Sequence, residues 1–381
     1  MKKYLALFLS ISLMLLCIPA LADVADTIAD AETLSHDQLV EKAMAEEGTF
    51  IVYGNTSRIT TALENFQKIY DIPGESNNLK DAEIYTKLES EASGSGKGAD
   101  MVMIQDGAQL TYAMDDGILL NFLPADIKDT VAEEDQNPLI HQWINKVFIY
   151  NNLGDSVPAI KNVWELTDPA MKGNIIFKNP ENEQVNMNFL VMVTSDKWAD
   201  ALAQAYKDWK GEDIDLGEYK NAGYKWIAEF LSNCTFGSSD TTIAEEISQE
   251  TAGGKIGLFV LSKLRSSSVL TDNLTVAQYD ASANGYSIAP FSGFMYPMYS
   301  LIPASATRPY TAALFIEYLM TADGFQPWGK SIGAYSTSSA VAPNEGDLGI
   351  DTWKSTLVTE DAEYILDNYE AVSSFVIKYL Q

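Results

Sequence analysis

The chain has 381 residues, with 25 Lys and Arg against 53 Asp and Glu, a formal net charge of −28. So acidic a protein repels nucleic acid and anionic membrane surfaces, and neither is expected as a partner. Of its two cysteines, Cys17 lies in a segment expected to be removed, so Cys234 has no internal disulfide partner and the fold must rest on packing.

Met1-Lys-Lys, an apolar stretch from Tyr4 to Ile18 and Ala20-Leu-Ala22 form the layout of a secretory signal, residues 1–22, cleaved after Ala22. Leu15 and Leu16 precede Cys17 where a lipoprotein would carry a small residue, so no lipid anchor is expected. No second apolar run approaches the roughly 20 residues that span a bilayer. The mature chain is therefore expected to be periplasmic or extracellular, with length for about two domains.

Ser35 can cap a helix through Ala45, and Gly48 ends it. Thr49 to Tyr53 is then a short β-branched and aromatic run closed by Gly54, and apolar Ile59, Leu63, Phe66 and Ile69 follow at helical spacing. A strand feeds a helix across Asn55-Thr56-Ser57-Arg58, a turn that favours anions or polar oxygens through its side chains and the helix dipole. An ordinary helix cap uses the same residues.

Asp81 to Ala92 reads as a helix, and Gly94-Ser-Gly-Lys-Gly98 as a loop. That loop fails as a phosphate-binding loop: its first glycine is misplaced, Gly98 stands where Ser or Thr should follow the lysine, and a strand comes after it. Ala99 to Ile104 is that strand, and Gln105-Asp106-Gly107 opens the next helix, so two strand-to-helix turns should lie side by side where open α/β sheets bind ligands. Ile118 to Leu123 reads as a short strand, and Lys146 to Asn152 as an apolar run ending in amides.

Val163 to Met171 reads as a short helix, Gly173 to Phe177 as a strand, and Asn179-Pro-Glu as a turn into a helix through Val193. Trp198 to Tyr206 and Tyr219 to Leu231 are helical by period, and Thr235 to Gly237 is a brief strand. Ser238-Ser239-Asp240 then opens a helix, with Thr242 and Glu245 as its capping box and Gly253 at its end. Ile256 to Leu261 is a buried strand running into Ser262-Lys-Leu-Arg265. Ser287 to Pro303 reads as a crossing segment with Tyr296 and Tyr299, Arg308 to Met320 as an amphipathic helix, and Phe325 to Trp328 as a further turn. A loop at Gly333-Ala-Tyr335-Ser336 precedes two helical segments, Thr359 to Asn368 and Ala371 to Leu380.

Phe50-Ile-Val-Tyr-Gly-Asn-Thr-Ser, Gly98-Ala-Asp-Met-Val, Phe148-Ile-Tyr-Asn-Asn, Gly173-Asn-Ile-Ile-Phe-Lys-Asn-Pro, Gly254-Lys-Ile-Gly and Ala312-Ala-Leu-Phe-Ile-Glu-Tyr-Leu-Met span most of the mature chain. In this order they resemble the extracellular solute-binding proteins of ABC importers, in the branch of ferric-iron, polyamine, phosphonate and sugar-phosphate binders. The resemblance implies an α/β, type 2 periplasmic-binding-protein fold of two lobes, each a mixed sheet flanked by helices, with the ligand in the cleft and closure by hinge bending. It places lobe 1 at 23–148 and 292–381 and lobe 2 at 149–291. It also implies a small-molecule solute, a permease in the cytoplasmic membrane, a monomer, and no cofactor or metal of the protein's own.

Ferric binders of this branch carry adjacent tyrosines after the strand that is Ile256 to Leu261 here. Lys263 and Arg265 in that place repel a bare trivalent cation, which puts ferric iron behind a small anion, with polyamine as a further alternative. Only three arginines occur, and Arg58 and Arg265 follow strand ends, where guanidinium suits bidentate oxyanion binding. The expected ligand is a phosphonate, phosphate ester or carboxylate. The candidate ligand residues are Asn55, Thr56, Ser57, Arg58, Gln105, Asp106, Asn152, Ser238, Ser239, Asp240, Arg265, Tyr296 and Tyr335. His36 and His141 have no metal-ligand spacing and no nucleophile elbow occurs, so catalysis is not expected. A secreted carboxylate-pair hydrolase is the remote alternative, because carboxylate separation is invisible in sequence.

Overall fold

A computed structural model describes residues 19–94, 97–153, 160–249, 254–265, 267–276, 279–280, 285–286, 288–330, 332–345 and 347–380. The expected signal lies outside them up to residue 18, as do Ser95 and Gly96 of the glycine loop and the helix end expected at Gly253.

Helices α1 (Pro19–Ala31) and α2 (His36–Ala45) precede β1 (Phe50–Gly54), α3 (Arg58–Tyr70), β2 (Gly74–Asn78), α4 (Asp81–Ala92), β3 (Met101–Ile104), α5 (Gly107–Asp115) and the short β4 (Leu119–Leu120). Strand β5 (Ile140–Asn151) leads through two 3-10 turns to β6 (Ile175–Lys178), α6 (Gln184–Met192), α7 (Asp196–Lys210), α8 (Ala222–Asn233), β7 (Cys234–Gly237) and α9 (Asp240–Ser248). Then come β8 (Ile256–Val260), a 3-10 turn at Leu261–Arg265, α10 (Ser268–Asn273), β9 (Leu274–Val276), β10 (Tyr279–Asp280), β11 (Gly285–Tyr286) and β12 (Gly293–Pro303). The chain closes with α11 (Pro309–Leu319), α12 (Ala322–Gly329), β13 (Ala334–Ser336), α13 (Ile350–Thr356), β14 (Val358–Thr359) and α14 (Ala362–Val376).

These elements form two compact units. The first comprises residues up to His141, Met298–Trp328 and Ser336–Ala342. Its strands β1, β2 and β3 are parallel, with β1 between the others, and the second half of β12 pairs antiparallel to β3 through Leu301 and Val102. Phe50 and Phe66 both pack edge-on against Phe315, at ring separations of 5.6 and 5.0 Å, which seats α3 and α11 on β1. Arg308, 2% exposed, begins α11. Its guanidinium donates to the carbonyls of Gly48 at 2.6 Å and Glu46 at 3.1 Å, while Asp100 accepts from the Thr307 and Arg308 backbone N–H groups at 2.7 and 3.0 Å. Those carbonyls are the free ends left between α2 and β1, so this third arginine is a structural anchor.

The second unit comprises Gln142–Pro297, Gly329–Tyr335 and Pro343–Gln381. Parallel β7, β6 and β8 lie side by side, and β5 pairs antiparallel to β8 with Lys146 opposite Val260 and Tyr150 opposite Ile256. An aromatic core of Phe189, Trp226, Phe291 and Phe294 joins α6, α8 and β12, with Phe189 stacked on Phe294 at 4.6 Å.

The C-terminal segment departs from the expected division, since 343–381 belongs with this unit rather than with lobe 1. Tyr369 of α14 donates to Gln184 of α6 at 3.2 Å, and Phe375 meets Tyr224 of α8 edge-on at 5.0 Å. Two expected C-terminal helices are the single α14, the loop at 333–336 contains β13, and β5 starts at Ile140, six residues before the apolar run that announced it. The strand expected over Ile118 to Leu123 is only β4.

Candidate functional site

Each unit brings the carboxyl ends of three parallel strands to one edge, the edge at which open α/β sheets bind ligands. In the first unit these ends lead to Asn55, Asp81 and Gln105. Asn55 Nδ2 donates to Asp81 Oδ1 at 2.8 Å, and the Gln105 backbone N–H reaches the same oxygen at 3.4 Å. Asn55 Oδ1 is buried without a hydrogen-bond partner among the described residues. Thr56 Oγ1 accepts from the Arg58 N–H at 3.3 Å, Ser57 is exposed at the start of α3, and Arg58 is half-buried as its first residue. The expected turn is therefore assembled, and Asp81, which has no local motif, is its unexpected centre.

Asp106 is buried and turned inward as the cap of α5, accepting from the N–H groups of Ala108 at 3.1 Å and Gln109 at 3.3 Å. Burial raises its carboxyl above the ordinary range although both bonds oppose this. It is a cap more than a ligand group. Asp106→Ala is expected to cost about 1 kcal/mol of stability, read from denaturant midpoints, with ligand affinity changed little.

In the second unit the strand ends lead to Lys178, to Ser238-Ser239-Asp240 and to the turn at Leu261–Arg265. Lys146, 0% exposed, places Nζ 2.8 Å from Asn186 Oδ1, 3.2 Å from Glu183 and 3.5 Å from Asp240. Lys178 pairs with Glu183 and lies 3.7 Å from Asp240. The result is a compact group of two cations and two anions. Burial alone would raise the Asp240 carboxyl and lower the Lys146 ammonium, but the mutual attraction reverses both, holding Asp240 below and Lys146 above the usual range. Asp240 also accepts from the Val260 N–H at 3.3 Å.

The capping box of α9 sits earlier than its expected Thr242–Glu245. Ser239 accepts from the Thr242 N–H at 3.1 Å and Thr242 Oγ1 accepts from the Ser239 N–H at 3.2 Å, because the helix begins at Asp240. Ser238 lies beside this pair, 3.3 Å from Thr242 Oγ1. Tyr296 is buried, with Lys146 Nζ 5.9 Å from its ring centre. Arg265 closes the turn after β8, and its side chain lies outside the described residues.

One expected ligand residue lies elsewhere. Asn152 follows the carboxyl end of β5, and antiparallel pairing puts that end beside the start of β8; its amide donates to the Asp272 carbonyl at 3.2 Å instead. Tyr335 is buried, donating to Asp347 at 2.8 Å and accepting from Asn145 Nδ2 at 3.2 Å. Asn145 Oδ1 in turn has no partner among the described residues. No group of three or more His, Cys, Asp or Glu among the described residues is placed to hold a metal ion, and none of their helices is long and apolar enough to cross a membrane.

Parallel strand ends opening into helix starts, in two units linked by β5 and β12, define the type 2 periplasmic-binding-protein fold. Solved structures share it over most of the chain. The ferric binding protein from Campylobacter jejuni has a TM-score of 0.64 at 14% identity, covering 87% of this chain and 99% of its own. The substrate binding protein of the ABC transporter from Agrobacterium tumefaciens gives 0.65 at 14%, covering 88% and 95%. A Trichodesmium protein (IdiA, FutA) in complex with iron and citrate ligands gives 0.61 at 14%, covering 87% and 99%. No protein-family model and no curated protein matches the chain.

Proposed function

We propose that this chain is the solute-binding component of an ABC importer, exported by a cleaved signal, delivering its solute to a permease in the cytoplasmic membrane and performing no chemistry. The observation that carries this is the shared fold with transport binding proteins over 87–88% of the chain. The strand-end turns of each unit are its ligand surfaces.

The similar structures shift the order of solutes, since iron, placed behind a small anion on sequence grounds, is named for two of the three, as ferric binding in one and as iron with citrate in the other. Lys263 and Arg265 still disfavour the bare ion, and the buried phenols of Tyr335 and Tyr296 are not offered to it. A ferric carboxylate chelate meets both facts: the chelate's carboxylates take up the metal's charge, and its outer oxygens suit guanidinium and ammonium donors. A polyamine is disfavoured because Asp81, Asp106 and Asp240 are already engaged. A small organic anion without iron is the second reading, favoured by the two arginines at strand ends.

Unfolding midpoints with ferric citrate, citrate alone and phosphonoacetate separate these readings, because a ligand of the folded state raises the midpoint with its concentration. Ferric citrate is expected to stabilise most. Equal stabilisation by the iron-free anions supports the second reading, and no response to any of the three removes both. Arg58→Ala and Arg265→Ala are each expected to lose roughly 1.5 kcal/mol or more of affinity for the stabilising ligand, measured by calorimetry.

A further inference from the structure

Between α4 and α5 in the first unit lies a pocket of about 270 Å³. Leu88 and Ala113 form an apolar floor, Tyr85 and Tyr112 aromatic walls, and Glu89 and Asp116 supply carboxylates. The Tyr85 hydroxyl is held by the Asp106 carbonyl at 3.0 Å, which fixes its ring, while Tyr112 is 59% exposed and its ring open to a ligand. Neither Glu89 nor Asp116 has an ion pair among the described residues, and no Lys, Arg or His lines the pocket. The nearest lysine on α4, Lys87, is occupied over the Tyr53 ring at 5.1 Å.

We propose that this pocket binds a small organic cation, an amine or guanidine on a short apolar or aromatic body. Aromatic faces attract cations through the ring quadrupole, and two unneutralised carboxylates add to that field. An anion would meet repulsion from both acids, and a neutral body would gain nothing from their field. The pocket lies just below the roughly 300 Å³ at which drug-sized ligand sites begin, so it suits a molecule of few heavy atoms. Neither Arg58 nor Arg265 lines it, so variants of those arginines test the import ligand proposed above and this pocket independently.

Phenethylammonium and 2-phenylethanol, which share a body and differ in charge, test this on the full chain by ligand-observed NMR. The amine is expected to bind saturably and about tenfold more tightly than the alcohol. Glu89→Gln, Asp116→Asn and Tyr112→Ala should each weaken it about threefold, and Arg58→Ala should leave it unchanged. Their unfolding midpoints should match the parent's, because Glu89, Asp116 and Tyr112 are exposed. Equal affinity for amine and alcohol, or indifference to both carboxylate variants, overturns the proposal. So does binding of a lysine-rich peptide at this pocket without binding of the free amine, which would make it a protein-docking site.

Discussion

Replacing Lys146 with methionine is expected to lower the stability of the protein by about 3 to 5 kcal/mol, the cost of leaving buried charge without its partner. Lys146 is fully buried against Glu183, Asp240 and Asn186. Its loss leaves Lys178 alone to balance two carboxylates. Removing one charge of each sign should therefore be milder: in Lys146→Met/Asp240→Asn, Lys178 and Glu183 remain as a neutral pair, and a substantial part of the loss should return. Urea unfolding of the parent, both single variants and the double variant gives this cycle directly. A cost for Lys146→Met no larger than the ~0.5 kcal/mol of an ordinary surface substitution would show that the cluster contributes little.

The pH dependence of the cluster has a definite sign. Asp240, held below its ordinary pKa, contributes stability that is present above the unfolded value of 3.8 and lost as pH falls through the folded one. Lys146, held above 10.5, contributes stability that is present below that value and lost as pH rises through the folded one.

The second large effect is acid destabilisation through His141. Its ring is buried between Phe325 and Trp328, at ring separations of 5.4 and 4.8 Å, and neither nitrogen has a hydrogen bond of normal geometry among the described residues. Desolvation pushes its pKa from 6.5 down to about 3, only partly opposed by the nearby Leu319 backbone. Between those values the unfolded chain binds the proton and the folded chain does not, so stability falls as pH falls from about 6.5 towards 3. By pH 4.5 the loss is about 2.7 kcal/mol, two pH units at about 1.36 kcal/mol each. His141→Phe keeps the ring and removes the titration. The stability of this variant relative to the parent should therefore rise by about that amount between pH 7 and pH 4.5. A constant difference across this range would mean that His141 takes up its proton in the folded protein as readily as in the unfolded chain.

Much of the fold was legible because its signals are local. The apolar run at Thr49 to Tyr53 and the period-3.6 residues from Ile59 to Phe66 are β1 and the buried face of α3. β2, Gly-Glu-Ser-Asn-Asn, carries no such signal: it lies at the outer edge of its sheet, where backbone pairing to β1 suffices and little of it is buried. The turns at Asn55 and Ser239 were legible as polar helix starts, whereas the roles of Asp81, Lys146, Lys178 and Glu183 depend on neighbours distant in sequence. Lys146 left one trace, a lysine at the head of an otherwise apolar strand run. Asn152 misled because the amides ending an apolar run look alike at either edge of a sheet, and strand direction is set only by pairing with β8.

The pairing of β3 with β12 bears on how the protein reaches its folded state. Val102 meets Leu301 across that ladder, about 200 residues later in the chain, and the Arg308 anchor closes over Gly48 and Glu46 from 260 and 262 residues away. During synthesis, β3 therefore waits with a bare hydrogen-bonding edge while the whole of β5 to β11 is still being made. The continuous stretch from Gln142 to Pro297 has no such wait for β6, β7 and β8, which pair among themselves. A chain stalled before β12 emerges would present the β3 edge to other chains, so aggregation during production should track truncations that remove β12 far more than those that trim α14.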